Sequence, residues 1–199
     1  MTETLEGLRI GYCITGSFCT FSKSFETLSQ LISTKAWVVP IMSFNAASID
    51  TRFGKAADNI NYLEYLTNRK VIKTIEDAEP IGPKNLFDII VVAPCTANTL
   101  AKLSVGITDT PVTMAVKSHL RNNKPVLIAV STNDALGAAA KNIGTLQNYK
   151  NYYFVPYTQD DYINKPKSIV ARFELIPQAI VDAMNGVQAQ PVLYKRKTD

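Results

Sequence analysis

The feature that most constrains this chain is the segment Phe87-Asp88-Ile89-Ile90-Val91-Val92-Ala93, a β-branched apolar run that meets Pro94 and then Cys95-Thr96-Ala97-Asn98-Thr99. A strand that is apolar on both faces must be covered on both faces, so the sheet containing it needs a layer of helix above and below. The same pattern recurs. Residues 8–15 alternate as a strand and then meet Gly16; Ala36–Met42 and Pro125–Val130 are further continuous apolar runs. Helical spacing separates them, with Phe21, Phe25, Leu28 and Ile32 forming one stripe and Ile60, Leu63 and Leu66 another. Helices are also expected through Thr99–Leu103, over 110–122 and over the small-residue stretch 135–142.

The remainder reads as a late strand over 151–157, a polar loop over 158–166 and a final helix from about 169 to 184. Pro177 would kink or divide that helix. The prediction is a single α/β domain over residues 1–199, with 188–199 as a C-terminal tail. Strands alternating with helices imply right-handed crossovers and a three-layer, doubly wound parallel sheet with helices on both faces.

Several function classes are excluded. No apolar run is long enough to cross a bilayer. The acidic start Met1-Thr2-Glu3-Thr4-Leu5-Glu6 is no signal peptide. Cys13, Cys19 and Cys95 are odd in number and widely spaced, matching neither a disulfide framework nor a zinc pattern. With His119 as the single histidine, no metal site is expected, and a reducing cytoplasm is the natural setting. Net charge is +4, with lysines scattered except in the tail Tyr194-Lys195-Arg196-Lys197, which gives no nucleic-acid face.

Doubly wound sheets bind ligands beyond the carboxyl ends of their strands, where the strand order reverses. That directs attention to the turns after Thr15, Met42, Ala93 and Val130. In Thr15-Gly16-Ser17-Phe18-Cys19-Thr20, glycine permits unusual dihedrals and close approach, and a helix start offers N–H groups to an anion. The turn is neither G-x-G-x-x-G nor a P-loop. The competing reading is ordinary capping, in which Ser or Thr hydroxyls bond the first helical N–H groups. Ser43-Phe44-Asn45 is a weaker version of the same turn. After Pro94, polar groups crowd the helix start beyond what one cap requires, and Asn98 can both donate and accept.

Pro94-Cys95-Thr96-Ala97-Asn98-Thr99, followed by Gly106-Ile107-Thr108-Asp109, resembles the P-A-S-A-N-T…G-I-A-D signature of the flavoprotein family of FMN-dependent cysteine decarboxylases and flavin prenyltransferases. The resemblance runs from about Leu8 to about Met184 and implies a Rossmann-like fold that holds FMN. Carried over residue by residue, it implies that Gly16, Ser17, Ser43, Thr96 and Thr99 grip phosphate and ribityl groups. Cys95 would lie against the flavin, Ser131 and Asn133 would complete the pocket, and Asn98 would be the catalytic residue facing the reacting ring.

Within that family, Thr15–Phe21, Val130–Gly137 and Tyr152-Tyr153-Phe154-Val155-Pro156-Tyr157 resemble the B subunits of dipicolinate synthases. That resemblance implies oxidation of a small dihydrodipicolinate-type dicarboxylate during sporulation, in the mother-cell cytoplasm, together with an A subunit that uses NADP. It also implies a homo-oligomer, trimer or dodecamer, with flavin where neighbouring copies meet and contacts through Leu136–Ala140 and Tyr152–Tyr157. Family decarboxylases carry a histidine before the Pro94 turn; this chain has none between Met1 and Ser118, which argues against decarboxylation. His119 is expected at a surface or helix end, stabilised by the helix dipole, and no cysteine has a base beside it in sequence to act as a nucleophile. The alternatives are an independent FMN enzyme of the same fold, such as a decarboxylase or flavin prenyltransferase, and a non-catalytic scaffold for the A subunit.

Overall fold

A computed structural model describes residues 5–194. Five parallel strands make the body of the sheet: β1 (Arg9–Ile14), β2 (Trp37–Met42), β3 (Ile89–Cys95), β4 (Val126–Thr132) and β5 (Tyr152–Phe154). From β1 the chain steps outward to β2, then returns to place β3 on the other side of β1. The order therefore reverses between β1 and β3. Two short antiparallel strands, β6 (Tyr157–Thr158) and β7 (Ile169–Ala171), extend the sheet, with β7 pairing the last residues of β4.

Reversal of strand order sends the crossovers to opposite faces, as right-handed connections require. Helices α1 (Phe21–Ser33) and α8 (Ile176–Met184) pack together on one face. Helices α4 (Ile75–Ala78), α5 (Ala97–Ser104), α6 (Pro111–Leu120) and α7 (Ala140–Gln147) associate on the other. All seven residues of β3 are buried, which is why its sequence is apolar without alternation. Tyr12 Oη donates to the Ser24 carbonyl (3.2 Å) and Ser24 Oγ donates to the Ala93 carbonyl (2.7 Å), tying β1, α1 and β3 together. At the amino end of the sheet, Asp88 accepts from Arg9 Nη2 (2.6 Å), Nε (3.1 Å) and the Arg9 backbone N–H (3.0 Å), and from Lys124 Nζ (3.2 Å). Partial burial opposes ionisation of Asp88, but these donors outweigh it and hold the carboxyl at about 2.

The structure departs from the sequence reading in five places. Pro94 does not stop β3: the strand continues through a cis Ala93–Pro94 peptide to Cys95, with a shift in register after Val92 because proline has no N–H for the ladder. The expected helix over 135–142 begins later, at Ala140. Asp134 accepts from Thr132 Oγ1 (2.6 Å) and its carbonyl accepts from Gly137 N–H (2.8 Å), which holds 132–139 in turns.

The late strand divides at Val155-Pro156 into β5 and β6. The final helix does not start at 169, because that stretch is β7; α8 starts at Ile176 and takes Pro177 into its first turn, where a missing N–H costs nothing. From Gln188 the chain docks rather than hanging free. The Gln188 amide bonds both the N–H and the carbonyl of Phe154 (2.7 Å each), and Tyr157 exchanges backbone bonds with Val192 and Tyr194 (2.9 Å each). Lys195, Arg196 and Lys197 lie outside the described residues. Two further helices, α2 (Phe44–Ser48) and α3 (Ala56–Thr67), follow β2.

Candidate functional site

The carboxyl ends of β1, β3 and β4 converge at the reversal point, and their turns are hydrogen-bonded to one another. Thr15 Oγ1 donates to the Pro94 carbonyl (2.8 Å) and accepts from the Thr96 N–H (3.0 Å). The hydroxyls of Ser17 and Ser131 meet at 2.9 Å across the gap between the first and last of these turns. A cleft of about 420 Å³ opens above them, lined by Gly16, Ser17, Thr96, Ser131 and Asn133 among the expected residues. That size is within the range of small-molecule and cofactor sites.

Capping separates these turns from ordinary ones. Ser17 precedes the single 3₁₀ turn Phe18–Thr20 that leads into α1, and Thr96 precedes α5, yet neither side chain caps the helix it introduces. Thr20, at the start of α1 proper, likewise leaves it uncapped. In contrast, Ser43 accepts from Ala46 N–H (3.3 Å), and Thr110 closes a reciprocal capping box with Thr113. The two turns that face the cleft thus present helix starts without a side-chain cap, a natural anion site, while the Ser17 hydroxyl meets that of Ser131 and the Thr96 hydroxyl meets that of Thr99.

Gly16 does not use the positive φ that glycine permits. A Cβ built there would meet only the Phe18 ring at 3.6 Å and Asn45 Cβ at 3.8 Å, ordinary contact distances. Packing within the chain therefore does not demand glycine at this position. A bare Cα at the cleft floor instead leaves room for a bound group.

The remaining expected residues are placed differently. Ser43 is buried and occupied as a cap. Thr99 is buried, with its hydroxyl 3.3 Å from that of Thr96, behind the cleft wall. Cys95 is fully buried, and burial pushes its thiol well above the ordinary cysteine range. Asn98 is exposed on the first turn of α5, outside the cleft lining. His119 departs from expectation. It sits at the end of α6, but it is buried to 1% exposure, with Nε2 donating to the Pro125 carbonyl (3.1 Å). Burial lowers it to about 4, so it is a neutral structural donor and not a charge on the helix dipole. Lys102 pairs with Asp109 through two bonds (2.8 and 2.9 Å).

The sequence reading missed Arg52, Asp160 and Lys165, which also line the cleft. Arg52 stacks on Phe53, 4.8 Å from the ring centroid. Lys165 and Asp160 come from the polar loop, whose Gln159-Asp160-Asp161 carries part of the resemblance to the B subunits but without a site role, and no spacing within that loop marks them. The lining as a whole suits a phosphorylated flavin: uncapped N–H groups, hydroxyls, a cation and an unobstructed floor.

Comparison with known proteins agrees with this geometry. The Flavoprotein family model matches residues 1–185. The chain belongs to the Flavoprotein family. It is 44% identical over 193 residues to the B subunit of dipicolinate synthase from Bacillus subtilis (strain 168), covering 97% of this chain and 96% of that one. The crystal structure of the dipicolinate synthase B subunit from Bacillus halodurans superposes with a TM-score of 0.89 at 39% identity, covering 98% of this chain and all of that one. The redox cage protein DmrB from Burkholderia xenovorans, solved in complex with FMN, has a TM-score of 0.67 at 16% identity, covering 90% of this chain and 96% of that one, and so shares the fold. Among the described residues no helix is long and apolar enough to cross a membrane.

Proposed function

We propose that this chain is the FMN-binding B subunit of a dipicolinate synthase. Together with an A subunit that uses NADP, it would oxidise a dihydrodipicolinate-type dicarboxylate to pyridine-2,6-dicarboxylate in the mother-cell cytoplasm of a sporulating bacterium. Near-complete alignment at 44% identity supports the choice of family member. The observation that carries the reading is the pair of uncapped helix starts above a glycine that the fold itself does not require.

In this reading the flavin phosphate would be taken by the N–H groups of Gly16, Phe18 and Cys19 in the turn before α1 and by those in the first turn of α5. Ser17 exchanges its bond to Ser131 for one to that phosphate, and Arg52 adds charge neutralisation. Thr96 and Asn133 line the remainder. The flavin supplies a hydride acceptor, and the protein supplies orientation and exclusion of water. Asn98, exposed on α5 and outside the cleft lining, would meet the reacting ring only if the flavin extends past α5 toward a second copy in a homo-oligomer. Neutral His119, bonded to a backbone carbonyl behind the sheet, takes no part in proton transfer.

Reconstitution with the A subunit tests the assignment. The mixture should form pyridine-2,6-dicarboxylate from the dihydro precursor, and each protein on its own should form much less. A pair that binds but yields no more dicarboxylate than the A subunit forms unaided would contradict the assignment.

A further inference from the structure

The flavin cleft does not end at its own walls. A second groove of about 500 Å³ runs beside it, between α1 and the strands β6 and β7. Both cavities are lined by Cys19, Asp160, Lys165 and Val170, so they adjoin along that line. The charged groups common to the two are Asp160 and Lys165.

That pair is loose. Lys165 Nζ lies 3.9 Å from Asp160 Oδ2, the longest ion pair among the described residues, and the lysine side chain is 57% exposed. The other cationic partnership in the groove is closed: Arg172 bonds Glu174 through Nε and Nη2. Lys23 lines the same groove and forms no ion pair among the described residues, and Glu26 is the one acid there outside those pairs. Lys165 is loosely held by its partner but firmly placed by its backbone. Its N–H donates to the Asp161 carbonyl (2.8 Å), its own carbonyl accepts from Ser168 N–H (2.9 Å), and Gln159 Nε2 closes the loop onto the Pro166 carbonyl (2.6 Å). An ammonium on a fixed backbone, loosely paired with Asp160 and near enough to add to the Asn164 hydrogen bonds that hold the Asp161 carboxyl below its ordinary range, is preorganised for an external anion.

From this placement we infer that Lys165 is the carboxylate-recognising residue for a small planar dicarboxylate lying across the junction of cleft and groove. Asp160 acts as a positioning residue that competes for the lysine when the ligand is absent. Lys23 supplies charge for the second carboxylate further along the groove. This deepens the dipicolinate synthase reading and rests on it for the ligand class. The flavin phosphate is the other anion that could reach Lys165, and the two sources are separable by titration.

Isothermal titration calorimetry on the full chain, with pyridine-2,6-dicarboxylate and FMN as separate titrants, provides the test. Lys165→Ala should weaken the dicarboxylate about tenfold, the loss of one charge-assisted contact, and weaken FMN by a clearly smaller factor. Asp160→Asn should bind the dicarboxylate at least as tightly as the native chain, because it removes the lysine's competing partner. A purely structural loop would weaken in both variants alike, and that result would overturn the inference. So would a native chain that does not bind the dicarboxylate, or a Lys165→Ala variant that loses only FMN. Should the native chain bind the dicarboxylate as described but not FMN, the flavin reading fails and the role of Lys165 stands.

Discussion

His119 gives this chain an acid-sensitive stability whose size follows from the structure. The ring is 1% exposed, its Nε2–H donates to the Pro125 carbonyl, and burial depresses it from 6.5 to about 4. In the unfolded chain the group takes up a proton near 6.5; in the folded chain it resists protonation until about 4. Between those values the unfolded state binds more protons, so stability falls as pH falls through this window. At about 1.36 kcal/mol per tenfold, the full effect approaches roughly 3 kcal/mol, of which about 2.5 kcal/mol is lost by a pH of about 4.5. Asp88 titrates lower, losing its contribution only between 3.8 and about 2, so the two windows separate.

His119→Gln can retain a donor toward Pro125 without titrating. Urea unfolding of the native chain and this variant, at neutral pH and near pH 4.5, measures the difference. The native chain should lose roughly 2 to 3 kcal/mol more than the variant. Equal losses in the two proteins would refute the burial argument for His119.

Two further outcomes follow from packing and exposure. Gly82 sits so close to α6 that a Cβ would lie 2.0 Å from the Ser118 carbonyl oxygen, so Gly82→Ala should cost about 3 kcal/mol or more and lower the melting temperature by roughly 6–12 °C in a thermal scan. Cys19 is exposed whereas Cys13 and Cys95 are buried with thiols pushed up; a chromogenic disulfide reagent should titrate one thiol rapidly in the native protein and all three after unfolding.

Much of the fold could be read from the chain because buried parallel strands leave an unmistakable apolar signature. Residues 89–93, 126–130 and 37–42 are each near-continuous for that reason, and each lies in a strand of the sheet. The signal fails where tertiary partners decide. Ile169-Val170-Ala171 has a pattern that suits a helix as well as a strand, and becomes β7 because the end of β4 and β6 both offer it an edge. Residues 135–139 are good helix formers apart from Gly137, and are held in turns by Asp134 and by the Lys167 carbonyl, which accepts from Leu136 N–H (3.0 Å).

The candidate site divides in the same way. The turns that carry Gly16, Ser17, Thr96, Ser131 and Asn133 are legible because strand ends at a reversal point must converge, while the choice of these residues within them comes from the family resemblance. Whether a hydroxyl caps its own helix or reaches across to another turn cannot be read from spacing. Ser43 and Ser17 look alike in sequence, and one is a cap while the other meets Ser131. Lys165 and Asp160 were hidden because a loop of mixed polar residues gives no periodicity to say which side chains turn inward.

Flavin titration tests the central claim most directly, namely that the turns after β1, β3 and β4 hold FMN. The purified chain should bind FMN saturably, with the shifted flavin absorption and quenched fluorescence of a bound ring. Gly16→Ala, whose Cβ meets the chain only at ordinary contact distances, should weaken that binding while leaving the melting temperature nearly unchanged. A native chain that never acquires a flavin band, or a Gly16→Ala variant that binds FMN as well as the native protein, would contradict the account.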